Sequence, residues 1–175
     1  CGKDGEPKVV MINQEDDYSI DYLADNFEEF VRGLTIAPQD ITKEEFVEYS
    51  DEIKEKVITN LSDENDSESV IEFLTFTGVE NLNNRLKGML ARAYNNNEQI
   101  EEAMKVMDMI PVEERDALWY YRYGYSYAEL SSNSNYDTEK ESLNALVMLE
   151  KAIELAKDDK VVDWCIEIVE IHGFK

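Results

Sequence analysis

The amino-acid sequence predicts a mainly α-helical protein built from successive helical hairpins, which are preceded in the chain by a short N-terminal strand and helix. The 175 residues include only seven glycines and three prolines, so long helices with few breaks are expected. Apolar residues recur at helical spacing over most of the chain after residue 40. A pattern of small and aromatic residues also occurs twice in the C-terminal half, which indicates a repeat.

The N-terminal segment is predicted to contain a strand followed by a helix. Residues 9–12 are an apolar run between Pro7 and polar residues, which is typical of a buried strand, and residues 13–17 are predicted to form a polar turn. From Asp21 to about Gly33, helical spacing predicts an amphipathic helix. Its apolar face would consist of Leu23, Phe27, Phe30, Val31 and Leu34.

A break around Pro38 separates this segment, residues 1–36, from a predicted helical domain over residues 40–175. Thr42 and Glu45 have the spacing of a capping box, which predicts that a helix begins there. The apolar face of that helix would be formed by Phe46, Tyr49, Ile53 and Val57.

The rest of the domain is predicted to be helical, with polar connections. An acidic loop is expected at residues 61–69, a turn at residues 95–97, a stop at Pro111 and a polar insertion at residues 131–141. Helices are expected to start near Val70 and to cover residues 82–94, 100–107, 118–130, 143–156 and 161–171.

Small residues recur at matching positions in the two central hairpins. Ala91 and Gly124 are 33 residues apart, and each precedes an aromatic residue by three positions. Ala103 follows Ala91 by twelve residues, whereas Ala145 follows Gly124 by 21. These positions resemble the tetratricopeptide repeat over about residues 79–171, with a second inter-helix turn about nine residues longer than that repeat uses. The resemblance implies stacked hairpins with the last helix as a cap.

The tetratricopeptide resemblance also implies a concave binding face lined by the first helix of each hairpin. Carried over by position, that face would receive Arg85, Arg92, Asn95, Asn96, Tyr121, Arg122 and Tyr125. Guanidinium groups bind carboxylates in a bidentate manner, so such a groove can hold a carboxylate-bearing peptide. Alternatively, the arginines bond to neighbouring glutamates. Three other aromatic residues are predicted to pack between helices: Tyr120, Tyr123 and Tyr127.

A second resemblance concerns the N-terminal segment. Residues 7–12 are followed by residues 23–30, which have the sequence LADNFEEF. Over about residues 5–34 the chain resembles the C-terminal end of the SUKH superfamily, where a strand precedes a helix bearing an Ala-Asp-Ser-Phe-Glu-Glu-Phe-like motif. Asn26 replaces the usual serine. The resemblance implies that the chain is a fragment of a longer protein. Alternatively, Cys1 is a processed N-terminus, because a Cys followed by Gly and polar residues begins mature bacterial lipoproteins.

The net charge of −23 disfavours nucleic acid and anionic membranes as partners and favours a basic protein. The SUKH superfamily includes bacterial immunity proteins that neutralise toxins, many of them basic nucleases. The resemblance therefore implies toxin neutralisation, with an acidic contact surface. Alternatives are an adaptor that binds a peptide in the groove, and a surface lipoprotein anchored through Cys1. Candidate acidic contact residues are Glu28, Glu29, Asp63, Glu64 and Asp66.

The sequence offers few groups for catalysis or metal binding. The single histidine, His172, is expected to be solvated near the C-terminus, and Cys165 is expected to lie in a core. Paired cysteines, metal-ligand spacing, phosphate-binding loops and nucleophile elbows are not found. We therefore expect a binding protein without cofactor or metal rather than an enzyme. Two cysteines, no signal peptide and no membrane span favour a cytoplasmic location, with a Cys1-anchored surface location as the alternative.

Overall fold

The computed structural model describes residues 7–13, 19–26 and 41–174. The chain forms two compact units, Cys1–Asp40 and Ile41–Lys175. Within the described residues the protein is mainly α-helical, which confirms the predicted fold class. The predicted break around Pro38 lies outside the described residues.

The first unit contains an antiparallel hairpin of two strands, β1 (Val9–Asn13) and β2 (Ser19–Ala24). Ile12 lies opposite Ile20, and the register shifts at the start of β1. The predicted strand at residues 9–12 is therefore confirmed, but its predicted burial is wrong, because Val10 is 44% exposed and Ile12 is 55% exposed. Asn13, predicted to begin a turn, belongs to β1 instead.

The predicted helix beginning at Asp21 is wrong for residues 21–24, which belong to β2. The sequence from Ser19 alternates polar and apolar residues, and this period of two suits a strand that can satisfy its backbone hydrogen bonds by pairing with β1. Residues 25–26 form a bend rather than a helix, and the rest of that predicted helix, including Phe27 and Phe30, lies outside the described residues.

The second unit contains eight helices among its described residues. In chain order they are α1 (Lys43–Glu48), α2 (Asp51–Asp63), α3 (Ser67–Thr77), α4 (Asn84–Asn96), α5 (Ile100–Asp108), α6 (Ala117–Ser131), α7 (Thr138–Leu155) and α8 (Asp159–His172). The helices expected in the second half of the chain are all present, and their ends lie within two residues of those predicted, with one exception. Helix α7 begins at Thr138, five residues before its predicted start, so the polar insertion expected at residues 131–141 is limited to residues 132–137.

The capping box at the start of α1 is confirmed. The Thr42 hydroxyl accepts a hydrogen bond from the backbone N–H of Glu45 at 3.2 Å, and the Glu45 carboxylate accepts from the backbone N–H of Thr42 at 3.0 Å. The hydrogen bonds from Thr42 lower the pKa of Glu45. Side-chain caps also begin five later helices, through Asp66, Asn83, Asp116, Asp137 and Asp158.

Two local predictions in this region are wrong. The single helix expected after Thr42 is divided into α1 and α2, because Tyr49 adopts an extended conformation that ends α1. Ile53 is consequently 39% exposed rather than part of the apolar face. The acidic loop expected at residues 61–69 is mostly helical, and residues 64–66 alone connect α2 to α3. Acidic residues there occupy exposed helix ends, which a polarity pattern does not distinguish from a loop.

Helices α2 to α8 pack as three successive pairs followed by a final helix. The pairs are α2–α3, α4–α5 and α6–α7, and the second helix of each pair contacts the first helix of the next. The first helices, α2, α4, α6 and α8, also contact one another in order. This arrangement is compatible with a helical repeat, and it contains one more pair than the two predicted hairpins. Helix α8 packs on α6 and α7, the position expected of a cap.

The predicted small residues lie where paired helices meet. Ala91, Ala103 and Ala145 are fully buried. Gly124 lies so close to α7 that a Cβ atom there would be 2.8 Å from Leu149 Cδ2. The space opposite Gly124 is therefore filled by a large residue, and Ala145 lies in the core one turn earlier on α7.

The three tyrosines that were predicted to pack between helices also lie in the core or against it. Tyr123 is buried and stacks on Trp119, with ring centroids 4.6 Å apart, and Tyr120 and Tyr127 pack against the same core. Cys165 is fully buried without a disulfide, and burial raises the pKa of its thiol to about 11.

Candidate functional site

Two adjoining cavities lie along the first helices of the pairs. One, of about 490 Å³, lies between α2, α4 and α6, and we call it the α2 cavity. The other, of about 460 Å³, lies between α4, α6 and α8, and we call it the α8 cavity. Arg92, Leu118 and Arg122 line both cavities. Because they share these residues, we refer to the two cavities together as the groove, which is lined by residues from all four first helices.

The structure brings together the seven residues predicted for the concave face. Arg85 lines the α2 cavity, and Arg92 and Arg122 line both cavities. The others line the α8 cavity: Asn95, Asn96, Tyr121 and Tyr125. Their role in binding stays a prediction.

The three groove arginines differ in their partners. Arg85 is exposed, and its Nε atom lies 3.0 Å from Glu55 Oε2 on α2, so the predicted alternative of a bond to a neighbouring glutamate holds for this residue. For Arg92 and Arg122, no carboxylate oxygen of the described residues lies within 4.0 Å of either guanidinium. Two guanidinium groups therefore face the groove without an ion-pair partner from the described part of the chain.

The side chain of Arg122 lies over the backbone of α4 at Gly88. It is half-buried, and a Cβ atom at Gly88 would lie 2.7 Å from Arg122 Nη1. The missing side chain at Gly88 thus provides the space that the guanidinium occupies. Burial lowers the pKa of Arg122 to about 10; the charge of Asp116 opposes this shift, and that of Arg92 adds to it. Arg122 consequently remains a cation at neutral pH.

Asn95 joins α4 to α6. It is buried, its side-chain amide donates a hydrogen bond to the backbone carbonyl of Arg122 at 3.3 Å, and its Oδ1 accepts one from Ser126 Oγ at 3.0 Å. Asn95 therefore positions the α6 backbone at Arg122, whereas Asn96 is exposed at the edge of the α8 cavity.

Aromatic side chains form one wall of the α8 cavity. Tyr121 and Tyr125 extend from α6, and Trp164 extends from α8. The rings of Tyr121 and Trp164 lie 5.5 Å apart with an interplanar angle of 32°. Burial raises the pKa of Tyr121 and of Tyr125, so both phenols stay neutral at physiological pH.

Sequence reasoning missed Gly88 and Trp164. Gly88 lies three residues after Arg85 and four before Arg92, so helical spacing could have placed it on the same face. Trp164 was missed because the last helix was interpreted only as a cap, although its position in the stack is that of a first helix.

Three of the predicted acidic contact residues are described, and all three lie at the connection between α2 and α3. Glu28 and Glu29 lie outside the described residues. Asp63 and Glu64 are exposed at the end of α2, and Asp63 also lines the α2 cavity. Asp66 caps α3, and hydrogen bonds from Ser69 lower the pKa of Asp66.

The expectation that His172 is solvated is wrong. Its side chain is only 9% exposed, because the end of α8 packs back on α6. Nδ1 lies 3.2 Å from Ser132 Oγ and Nε2 lies 3.5 Å from Glu129 Oε1, and the ring stacks on Phe174. Within the described ranges, no cluster of His, Cys, Asp and Glu is arranged to hold a metal ion. None of the helices in those ranges is long and apolar enough to cross a membrane.

Comparison of the chain with models of protein families, with curated proteins and with solved structures found no match. Function is therefore inferred from the geometry and chemistry of the groove.

Proposed function

We propose that the protein is a protein-binding module that holds a carboxylate-bearing segment of a partner in the groove. The observation that carries this proposal is that no carboxylate of the described residues pairs with Arg122, although the chain as a whole is strongly acidic. A half-buried guanidinium has lost part of its hydration, and a ligand carboxylate restores its hydrogen bonds in a bidentate geometry. Arg92 adds a second positive charge at the same place.

The stacked helices support binding rather than catalysis. A groove lined by consecutive first helices is the surface that helical repeats use for extended ligands. Its centre offers guanidinium donors and aromatic rings, which are groups that recognise peptides. We therefore propose no chemical reaction at this site.

The surrounding charges restrict the kind of partner. The net charge of −23 repels strongly acidic chains, and Asp63, Glu114 and Asp116 line the α2 cavity beside the arginines. Glu167 lines the α8 cavity on the other side. A single carboxylate within a neutral or basic segment satisfies both the cationic centre and the acidic flanks.

Neutralisation of a basic toxin, which the SUKH resemblance implies, is the second candidate. The observation in its favour is the net charge of −23, which attracts a basic domain by long-range steering. The two candidates differ in the groups that make the contact. Groove binding depends on Arg92 and Arg122, whereas electrostatic docking of a toxin depends on exposed carboxylates such as Asp63 and Glu64.

Selection from a library of random peptides, displayed with free and with amidated C-termini, tests the proposal. We expect the enriched peptides to share one carboxylate, either from Asp or Glu or from the free C-terminus, with neutral or basic neighbours. Uniformly basic peptides without a common carboxylate would contradict groove binding and support docking on the acidic surface.

The Gly88→Ala substitution is expected to weaken binding without destabilising the fold. Alanine favours the interior of a helix over glycine by about 0.5–1 kcal/mol. The new methyl group would displace the end of the Arg122 side chain rather than a backbone atom. We expect the free energy of unfolding in urea to stay within about 1 kcal/mol of the wild-type value, and the affinity for a selected peptide to fall several-fold. Unchanged affinity would show that the position of Arg122 over Gly88 does not matter for binding.

A further inference from the structure

We infer that the groove recognises two adjacent features of its ligand: a carboxylate at Arg92 and Arg122, and a large apolar side chain, preferably aromatic, in the α8 cavity. This inference rests on the proposed function and names the ligand class that the site selects.

The aromatic wall of the α8 cavity is built by two helices that meet there. Tyr121 and Tyr125 lie one turn apart on α6, and the Trp164 ring of α8 packs beside the Tyr121 ring in a tilted orientation. All three side chains are half-buried, so their rings are fixed by packing while part of each ring faces the cavity. Lys160 Nζ lies 5.0 Å from the centre of the Trp164 ring, which further fixes the indole. A ring or branched aliphatic side chain of the ligand can therefore pack against preformed aromatic surface.

The size of the α8 cavity fits a side chain with its flanking backbone. Its volume of about 460 Å³ lies within the range of pockets that hold small organic ligands. The charge of the α8 cavity also restricts which ligand side chains it can hold. Glu167 lines the cavity, so a second ligand carboxylate on that side is disfavoured.

The carboxylate and the apolar side chain must be close together in the ligand. Arg92 and Arg122 line the α8 cavity along with the aromatic residues, and their charges act on the Tyr121 phenol. An extended chain advances about 3.3–3.6 Å per residue. The two features therefore belong to the same residue or to residues next to each other. A C-terminal aromatic residue with its free carboxylate and an internal aromatic residue beside Asp or Glu both satisfy this requirement.

Calorimetric titration of the full chain with short synthetic peptides tests the inference. The central probe is Gly-Ser-Phe-Asp-Gly-Ser with both ends blocked, made also with Asp before Phe. Matched probes replace Phe with Ala, or Asp with Asn. A further pair carries a C-terminal Phe without Asp, with its carboxylate either free or amidated. The internal and C-terminal series distinguish the two sources of the carboxylate.

We expect replacement of Phe with Ala to weaken binding at least about fivefold in whichever series binds. In the Trp164→Leu and Tyr125→Leu variants this difference is expected to shrink to about twofold or less, while the preference for carboxylate over amide persists. Phe76→Leu is the matched control, because Phe76 is a half-exposed aromatic residue on α3 outside both cavities.

The possible results separate this inference from the proposed function. Equal binding of Phe and Ala probes, with a preserved preference for carboxylate over amide, would overturn the aromatic site and leave the carboxylate site standing. Equal binding of carboxylate and amide probes, or binding of no probe in either series, would overturn both. A preference for Phe that survives in both groove variants would place the aromatic contact elsewhere.

Discussion

Replacement of both Arg92 and Arg122 with Gln is expected to weaken binding of a carboxylate peptide at least about tenfold while the fold is retained. A hydrogen bond to a charged group contributes about 1.5–3 kcal/mol, and about 1.4 kcal/mol corresponds to a tenfold change in affinity. Neither guanidinium has an ion-pair partner among the described residues, so removal of their charges breaks no such pair. Because burial already disfavours the charge of Arg122, we expect an unchanged or slightly higher free energy of unfolding.

The Arg85→Gln variant is the matched control for this prediction. Arg85 lies on the same helix as Arg92 and lines the α2 cavity, but it is paired with Glu55 and its side chain is 72% exposed. We expect its replacement to change affinity less than about threefold, as is usual for an exposed ion pair. Binding is measured by calorimetry on the tightest peptide from the library, and folding by circular dichroism. A loss as large for Arg85→Gln as for the double variant would show that net charge, rather than Arg92 and Arg122 specifically, controls binding.

The Gly124→Ala substitution is expected to destabilise the protein by about 1–3 kcal/mol. A Cβ atom at Gly124 would lie 2.8 Å from Leu149 Cδ2, 2.9 Å from its Cγ and 3.3 Å from its backbone nitrogen. Leu149 is only 1% exposed, so neither the side chain nor the α7 backbone has free space to move into. The strain is expected to exceed the helix propensity that alanine adds.

Gly88→Ala is the natural comparison, since both glycines are buried within helices. A Cβ atom added at Gly88 would meet the end of an arginine side chain. A Cβ atom added at Gly124 would meet a packed leucine side chain and the backbone of α7. Urea denaturation, monitored by the fluorescence of Trp119 and Trp164, is expected to give changes in the free energy of unfolding that are opposite or clearly different for the two substitutions. Equal gains in stability from both substitutions would contradict the close approach of α6 and α7.

The helices could be predicted from the sequence because their determinants are local. The capping pair of Thr42 and Glu45 lies within one turn, and amphipathic spacing marks most of the later helices. Strand β2 could not be predicted in this way, because it depends on pairing with β1, and the apolar spacing from Leu23 to Phe27 also suits a helix. The short connection after α2 was predicted as a longer loop because the acidic residues there lie at exposed helix ends and at the cap of α3.

The groove could be located from the sequence because repeat positions determine which residues lie on the first helices. The different environments of its arginines could not be predicted, since they depend on distant partners. Glu55 lies 30 residues before Arg85, and Gly88 lies 34 residues before Arg122. Arg85 pairs with Glu55, whereas Arg122 has no ion-pair partner in the described part of the chain. This difference follows from the packing of α2, α4 and α6, which spacing alone does not specify.

The most direct test of the central claim is a nuclear magnetic resonance titration that follows the arginine Nε–Hε signals, assigned by single substitutions. The titrant is the library peptide with the highest affinity, compared with its amide analogue. We predict that the signals of Arg92 and Arg122 shift with the carboxylate peptide only. Arg85, paired with Glu55, and Arg115, whose Nε–H donates to the Ile110 carbonyl at 3.1 Å, are predicted to stay unchanged. Binding that leaves the Arg92 and Arg122 signals unmoved would contradict the assignment of the groove as the binding site.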